Sequence, residues 1–265
     1  MAILALVLAF AASVIGGICG IGGGVIMKPV LDMVGFASVS TISFLSSCTV
    51  ISMAFYNVMK GLSQHSHALE KGKSDVLAVC AALGGVLGNT MFKLIRSAAS
   101  NDAVIGAIQS VILLLLVFGT MLYTIFKGRI TPHATNRKSV CGLIGLLLGI
   151  VSSFLGIGGG PFNLAVLHYF LGYKTKQAVE NSLYIILLSQ ATNILMSIVT
   201  ASVPPFQVSS LLLMITGGIT GGIAGKAIRQ RLDGKAIDKP FIILMMVIIL
   251  ICVANTRKYL VLAGS

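Results

Sequence analysis

Main-chain amides, more than reactive side chains, are the chemical resource this chain repeats. Gly-Ile-Gly-Gly-Gly occurs at Gly20, Ile21, Gly22, Gly23 and Gly24 and again at Gly156, Ile157, Gly158, Gly159 and Gly160, each time inside a long apolar stretch. Each cluster ends one helix and starts another, so N–H groups collect at a helix N-terminus. Such a terminus carries roughly +0.5 of a charge and suits an anion. Glycine lets the backbone itself approach a ligand and adopt positive φ. Pro161 fits the first helical position after its cluster, where a missing N–H costs nothing.

Polar side chains near the clusters extend that chemistry. Lys28 can add positive charge, and Asp32, four residues on, shares its helix face and can pair with it. Ser46, Ser47 and Thr49 in the first half correspond roughly to Asn181 and Ser182 in the second, and Asn163 falls on the first turn after the second cluster. These groups suit neutral hydrogen bonds to the oxygens of an oxyanion, or else hydrogen bonds that only hold helices together. Asn57, Gln190 and Asn193 belong to the same class. Glu180 either pairs with Lys176 at an interface or titrates and couples proton movement. His168 reads as a packed interior residue, and His65, His67 and His133 as loop residues without a specific role. No Ser/His pairing, HExxH or Cys/His cluster lies in the apolar segments, which argues against an enzyme, a metal centre or a cofactor site. Neither glycine cluster carries the Lys-Ser/Thr ending of a phosphate loop.

The elements that must hold these groups are membrane helices. Of 265 residues 56% are apolar and 10% charged, and the mean hydropathy is +1.00, against about 25% charged in a soluble domain. The chain is an all-α integral membrane protein whose main partner is the lipid bilayer. No Lys or Arg precedes Lys28, so the basic region of a cleaved signal peptide is missing and the first apolar segment is expected to stay. The five cysteines show no CxxC spacing and read as small packing residues. The net charge of +12 is scattered over short loops, which points to orientation in the membrane and away from nucleic acid.

Hydropathy gives eight long apolar segments, near 2–19, 38–59, 75–95, 103–126, 139–155, 178–202, 207–228 and 240–256, and two short ones at Val25–Phe36 and Pro161–Gly172. Twelve helical residues reach only about 18 Å, too little for a bilayer core of about 30 Å, so the glycine turns must lie within it. There an unwound backbone survives only where protein or a polar cavity satisfies it. Duplication is supported at a second place. The block from Gly84 to Arg96 aligns with that from Gly217 to Arg229 with six identities in thirteen positions, including Lys93 with Lys226 and Arg96 with Arg229. The glycines of these blocks have small-xxx-small spacing and are expected to pack helices together. Residues 1–130 and 131–265 are thus two repeats of a single transmembrane domain.

Charge counting distinguishes the topologies. With four crossings per half, the Lys and Arg residues divide evenly between the two sides. With five, Lys93, Arg96, Arg257 and Lys258 lie on one side, Lys28 lies within the membrane, and the other fourteen of nineteen, Lys71 among them, share one face. Short loops rich in Lys and Arg stay in the cytoplasm. The expectation is two inverted-topology repeats, ten crossings and both termini outside, with broken helices converging near the midplane as in secondary transporters.

The duplicated Gly-Ile-Gly-Gly-Gly closing the first helix of each half, with Pro29 five residues beyond the first copy, resembles the TauE/SafE family of sulfite and organosulfonate exporters. The resemblance spans nearly the whole chain and takes in the duplicated four-helix-plus-loop module, the Gly-Gly-x-x-Gly segments and Ala178-Val179-Glu180-Asn181-Ser182. It implies a bacterial cytoplasmic-membrane transporter of a sulfite- or sulfonate-type anion, with export as the direction. Where the family often has Gly-Thr, this chain has Glu180 and Asn181, and Asn163-Leu164 stands where a proline is expected, so substrate and coupling do not carry across. Proton or sodium coupling and homo-oligomeric assembly stay open, and an anion channel or a non-transporting membrane subunit are the alternatives.

Overall fold

The computed structural model describes residues 2–63, 72–98, 102–135 and 137–264; His65, His67 and Lys71 lie outside them. Among the described residues all regular structure is helical, ten α-helices and one 3-10 turn, Lys127–Arg129. The helices are α1 (Ala2–Cys19), α2 (Gly24–Val34), α3 (Val39–Ser63), α4 (Lys73–Ala98), α5 (Asp102–Phe126), α6 (Lys138–Leu155), α7 (Pro161–Leu171), α8 (Thr175–Val199), α9 (Val208–Arg231) and α10 (Gly234–Gly264). The order of one helix, a short helix and three long helices therefore occurs twice. Among the described residues seven helices are long and apolar enough to cross a membrane, and the apolar α1 is as long as α6, 18 residues. Several helices outrun their apolar segments, α10 at both ends, because hydropathy marks only the apolar part while Lys- and Asp-containing end turns stay helical.

Two glycine seams set the packing. In α4, a Cβ on Gly84 or Gly88 would overlap the main-chain carbonyls of Leu146 and Ile150 in α6. In return, Gly145 and Gly149 of α6 sit on the carbonyls of Leu77 and Ala81. The same device joins α9 to α1, where Gly217, Gly221 and Gly225 meet the carbonyls of Leu6, Phe10 and Val14. In lipid, close backbone approach of this kind replaces the hydrophobic drive as the force joining helices. α3 and α8 pack against each other through Val50, Ala54 and Ile186. α5 and α10 lie side by side, with Tyr259 seated on Gly106. Cys19, Cys141 and Cys252 are buried in the apolar core.

Candidate functional site

The two glycine breaks touch each other inside the bundle. A Cβ on Gly24 would overlap the carbonyl oxygen of Ile157, and one on Gly22 would stand 3.6 Å from the carbonyl oxygen of Gly158. Both clusters are buried throughout. Gly20 and Gly22 have φ of 70° and 68°, and their counterparts Gly156 and Gly158 have 62° and 72°. The third pair diverges, Gly23 at −65° and Gly159 at 110°. Side chains carrying a Cβ are strained at positive φ, which is why the breaks are built of glycine. α2 and α7 start at the breaks without a side-chain cap.

Around the breaks stand serines at corresponding positions. Ser46 is fully buried beside Gly24, its hydroxyl without a hydrogen-bond partner. Ser182 accepts a 3.4 Å hydrogen bond from Asn163 Nδ2, and Asn163 also flanks Gly159. Lys28 is buried and ties the halves together. Its ammonium donates to Gln109 Oε1 at 2.7 Å and to the Leu155 carbonyl, and Gln109 Nε2 donates to the Phe154 carbonyl at 2.6 Å. Asp32 looks elsewhere, toward α10, where Lys258 donates to its main-chain oxygen at 2.9 Å and Tyr259 bonds its carboxylate. One carboxylate oxygen of Asp32 has no hydrogen-bond partner.

A cavity of about 80 Å³ runs from the second break to one end of the bundle. At its inner end are Gly156, Gln109, Ser47 and Ser153; the hydroxyls of Ser47 and Ser153 are buried and lack partners. Farther out stand Asn89 and Asn193, hydrogen-bonded to each other, then Lys93, which donates to Thr200, and Arg96. Among the described residues no Asp or Glu lines it. The volume matches two or three waters at about 30 Å³ each, a size for a small oxyanion. A larger groove of about 400 Å³ between α5 and α7 is lined mainly by apolar groups, among them Leu115, Leu116, Phe162 and Val166.

At the other end the corresponding space is almost closed. About 10 Å³ remains among Asn57, Gly61, Glu180, Leu183 and Arg229. Here Lys226 Nζ donates to the Asn57 carbonyl at 3.0 Å and Arg229 Nη1 to the Gly17 carbonyl at 2.9 Å, and Glu180 attracts both cations.

The expected site residues therefore fall into groups. Gly20, Gly22, Gly23, Gly24, Gly156, Gly158, Gly159, Gly160, Ser46, Asn163 and Ser182 surround the breaks; Ser47 and Gly156 reach the cavity, and Lys28 lies behind its wall at Gln109. Thr49 and Asn181 are diverted. Thr49 donates to the Leu45 carbonyl and packs its methyl on Gly218, while Asn181 bonds Ser74 of α4 and the Gln177 carbonyl. Glu180 stands at the closed end, not at the cavity. His168 bonds Tyr123 at 2.8 Å, against α5. Sequence reasoning missed Gln109, Ser153 and Asn89 as wall groups and Lys93 and Arg96 as more than loop-side charges. Gln109 had a signal, a polar amide in the middle of an apolar helix. Among the described residues no group of three His, Cys, Asp or Glu side chains could hold a metal.

Known proteins resemble this chain over most of its length. The family model described as Sulfite exporter TauE/SafE matches residues 5–251. A "Probable membrane transporter protein YunE" of Bacillus subtilis is 22% identical over 265 residues, covering 94% of this chain and 95% of that protein. A "Probable membrane transporter protein" of Xylella fastidiosa strain Temecula1 is 24% identical over 230 residues, covering 83% and 81%, and its counterpart in strain 9a5c matches equally. No solved structure matches.

Proposed function

The chain belongs to the sulfite exporter TauE/SafE family, and from that membership we propose that this membrane transporter moves a small sulfur oxyanion, sulfite or a sulfonate, by alternating access around the two glycine breaks. The observation that carries the reading is the polar cavity, with no Asp or Glu among its described lining residues, that ends at Gly156 of the second break. Unpartnered hydroxyls of Ser47 and Ser153 are donors waiting for an acceptor, and the uncapped starts of α2 and α7 favour negative charge.

Residues 1–130 and 131–265 act as inverted repeats in this reading, and the pairings support it. Leu6, Phe10 and Val14 meet Gly217, Gly221 and Gly225 in rising order, so α1 and α9 run in the same sense. Thr41 Oγ1 donates to the Pro205 carbonyl just ahead of α9, so α3 starts at the end from which α1 set out, and α2 must bring the chain back. α3, α4 and α5 then cross in turn, and α6, parallel to α4 by its own glycine seam, sets out from the opposite end. That end holds the thirteen described Lys and Arg residues of the majority, which the positive-inside rule assigns to the cytoplasm of a bacterial inner membrane. Both termini and the cavity then face outward. Substrate moves when one repeat rocks against the other and the open and closed ends exchange.

The test is sulfite flux in proteoliposomes with an imposed proton or sodium gradient. Saturable accumulation driven by one of the gradients is the expected result. Flux that never saturates would instead describe a channel, and no flux of sulfite or of a sulfonate panel would overturn the reading.

A further inference from the structure

The repeat places the same two cations in two different surroundings. Lys93 and Arg96 of α4 correspond to Lys226 and Arg229 of α9 in the shared block. In the second half both cations are held, by the carbonyls of Asn57 and Gly17, and are offset by the nearby carboxylate of Glu180. Counterparts of these holders follow from the offset of 136 residues between the glycine clusters. Asn57 corresponds to Asn193, Gly17 to Ser153 and Glu180 to Phe44. All three counterparts line the cavity that Lys93 and Arg96 also line. The place of the acid is thus taken by an uncharged ring, and the buried hydroxyl of Ser153 is unpartnered.

We propose that Lys93 and Arg96 form a docking site for a small oxyanion in this cavity, the anion standing where the carboxylate of Glu180 stands in the other half. The site rests on the transporter reading and adds to it where the solute is first held on the outward side. Lys93, now bonded to the neutral hydroxyl of Thr200, exchanges that partner for an anionic oxygen, a stronger charge-assisted bond. Arg96, which like Lys93 has a partner in the protein, exchanges it as well, and its planar fork suits two oxygens of one anion. Asn89, Ser47 and Ser153 supply neutral donors deeper in, along the way to Gly156. Closure of this end then brings the two cations onto the carbonyls of Asn193 and Ser153, the counterparts of their partners in the closed half, and displaces the anion inward.

The experiment measures sulfite binding to the full-length purified protein by calorimetry at low and at high salt. Lys93→Gln and Arg96→Gln each weaken sulfite binding at least about tenfold at low salt, and the difference shrinks as salt screens the charges. Arg257→Gln removes one charge from the same face outside the cavity and leaves binding unchanged. Lys93→Arg restores it. The sharpest variant is Phe44→Glu, which installs the missing acid; it abolishes binding, while Phe44→Gln, which removes the same ring, retains most of it. If wild type binds sulfite and Phe44→Glu behaves as Phe44→Gln, or the cation variants behave as Arg257→Gln, the site is overturned and the transporter reading survives. If wild type binds sulfite but never moves it, the transporter reading fails and the same variants still decide the site. If wild type binds neither sulfite nor any member of the sulfonate panel, both are overturned.

Discussion

The ammonium of Lys28, on the short helix that leaves the first glycine break, donates a hydrogen bond to the carbonyl of Leu155, the last helical residue before the second break. One side chain therefore ties the two interruptions across 127 residues of sequence. Its second acceptor, Gln109, in turn holds the carbonyl of Phe154, so the end of α6 is fixed through two adjacent carbonyls.

Lys28→Met removes the donor while keeping the apolar stem. The Leu155 carbonyl and Gln109 Oε1 are then buried acceptors without it, at a cost of about 1–3 kcal/mol. Thermal unfolding in detergent should show a lowered Tm, and transport should fall with it. An unchanged Tm would mean that the bridge does not hold the breaks together.

Ser47→Ala tests whether a waiting hydroxyl meets a ligand. Its oxygen has no partner in the protein, so its loss should leave the Tm of the ligand-free protein within about 0.5 kcal/mol of wild type. Sulfite affinity should drop by about 1 kcal/mol, the usual worth of one hydrogen bond. Calorimetry and a melting curve on the same sample separate the two effects.

Gly24→Ala drives a methyl into the carbonyl oxygen of Ile157, with no flexible side chain to yield. Overpacking of this kind costs about 1–3 kcal/mol, and the two breaks can no longer touch. Transport is expected to vanish in protein that still inserts. Gly119→Ala, with nothing near its added carbon, should match wild type in flux and stability.

Gly149→Ala places its methyl on the Ala81 carbonyl in the seam between α4 and α6. This pushes α4 and α6 apart, so stability falls by about 1–3 kcal/mol, and sulfite affinity falls with it because Asn89 of α4 and Ser153 of α6 line the cavity. Loss of affinity at unchanged Tm would place this seam in the binding site.

Much of the architecture was legible because it rests on local properties of the chain. Long apolar runs can satisfy their backbone in lipid only as helices, so the segments around 38–59 or 207–228 became α3 and α9. Glycine clusters inside such runs are helix breakers wherever the chain goes, and their repetition gave the duplicated order of elements. The site was legible at the breaks themselves and poorly legible around them. Thr49 and Asn181 looked equivalent to Ser47 and Ser182 as polar residues in helices, yet they turned to Leu45, Ser74 and Gln177. A polar residue on a membrane helix faces some partner, and composition does not say which helix stands on that side.

By itself the sequence determined a helical membrane protein whose helices break at two copies of one glycine pentapeptide, because hydropathy and backbone freedom act within a few residues. Only the tertiary structure decided that Lys28 would reach Leu155 and Gln109 instead of settling on Asp32, and that Lys226 and Arg229 would be capped while Lys93 and Arg96 line a cavity. The reason is distance along the chain. A buried charge takes the partner that packing brings within about 3 Å, and packing is set by glycine seams that join α1 to α9 and α4 to α6.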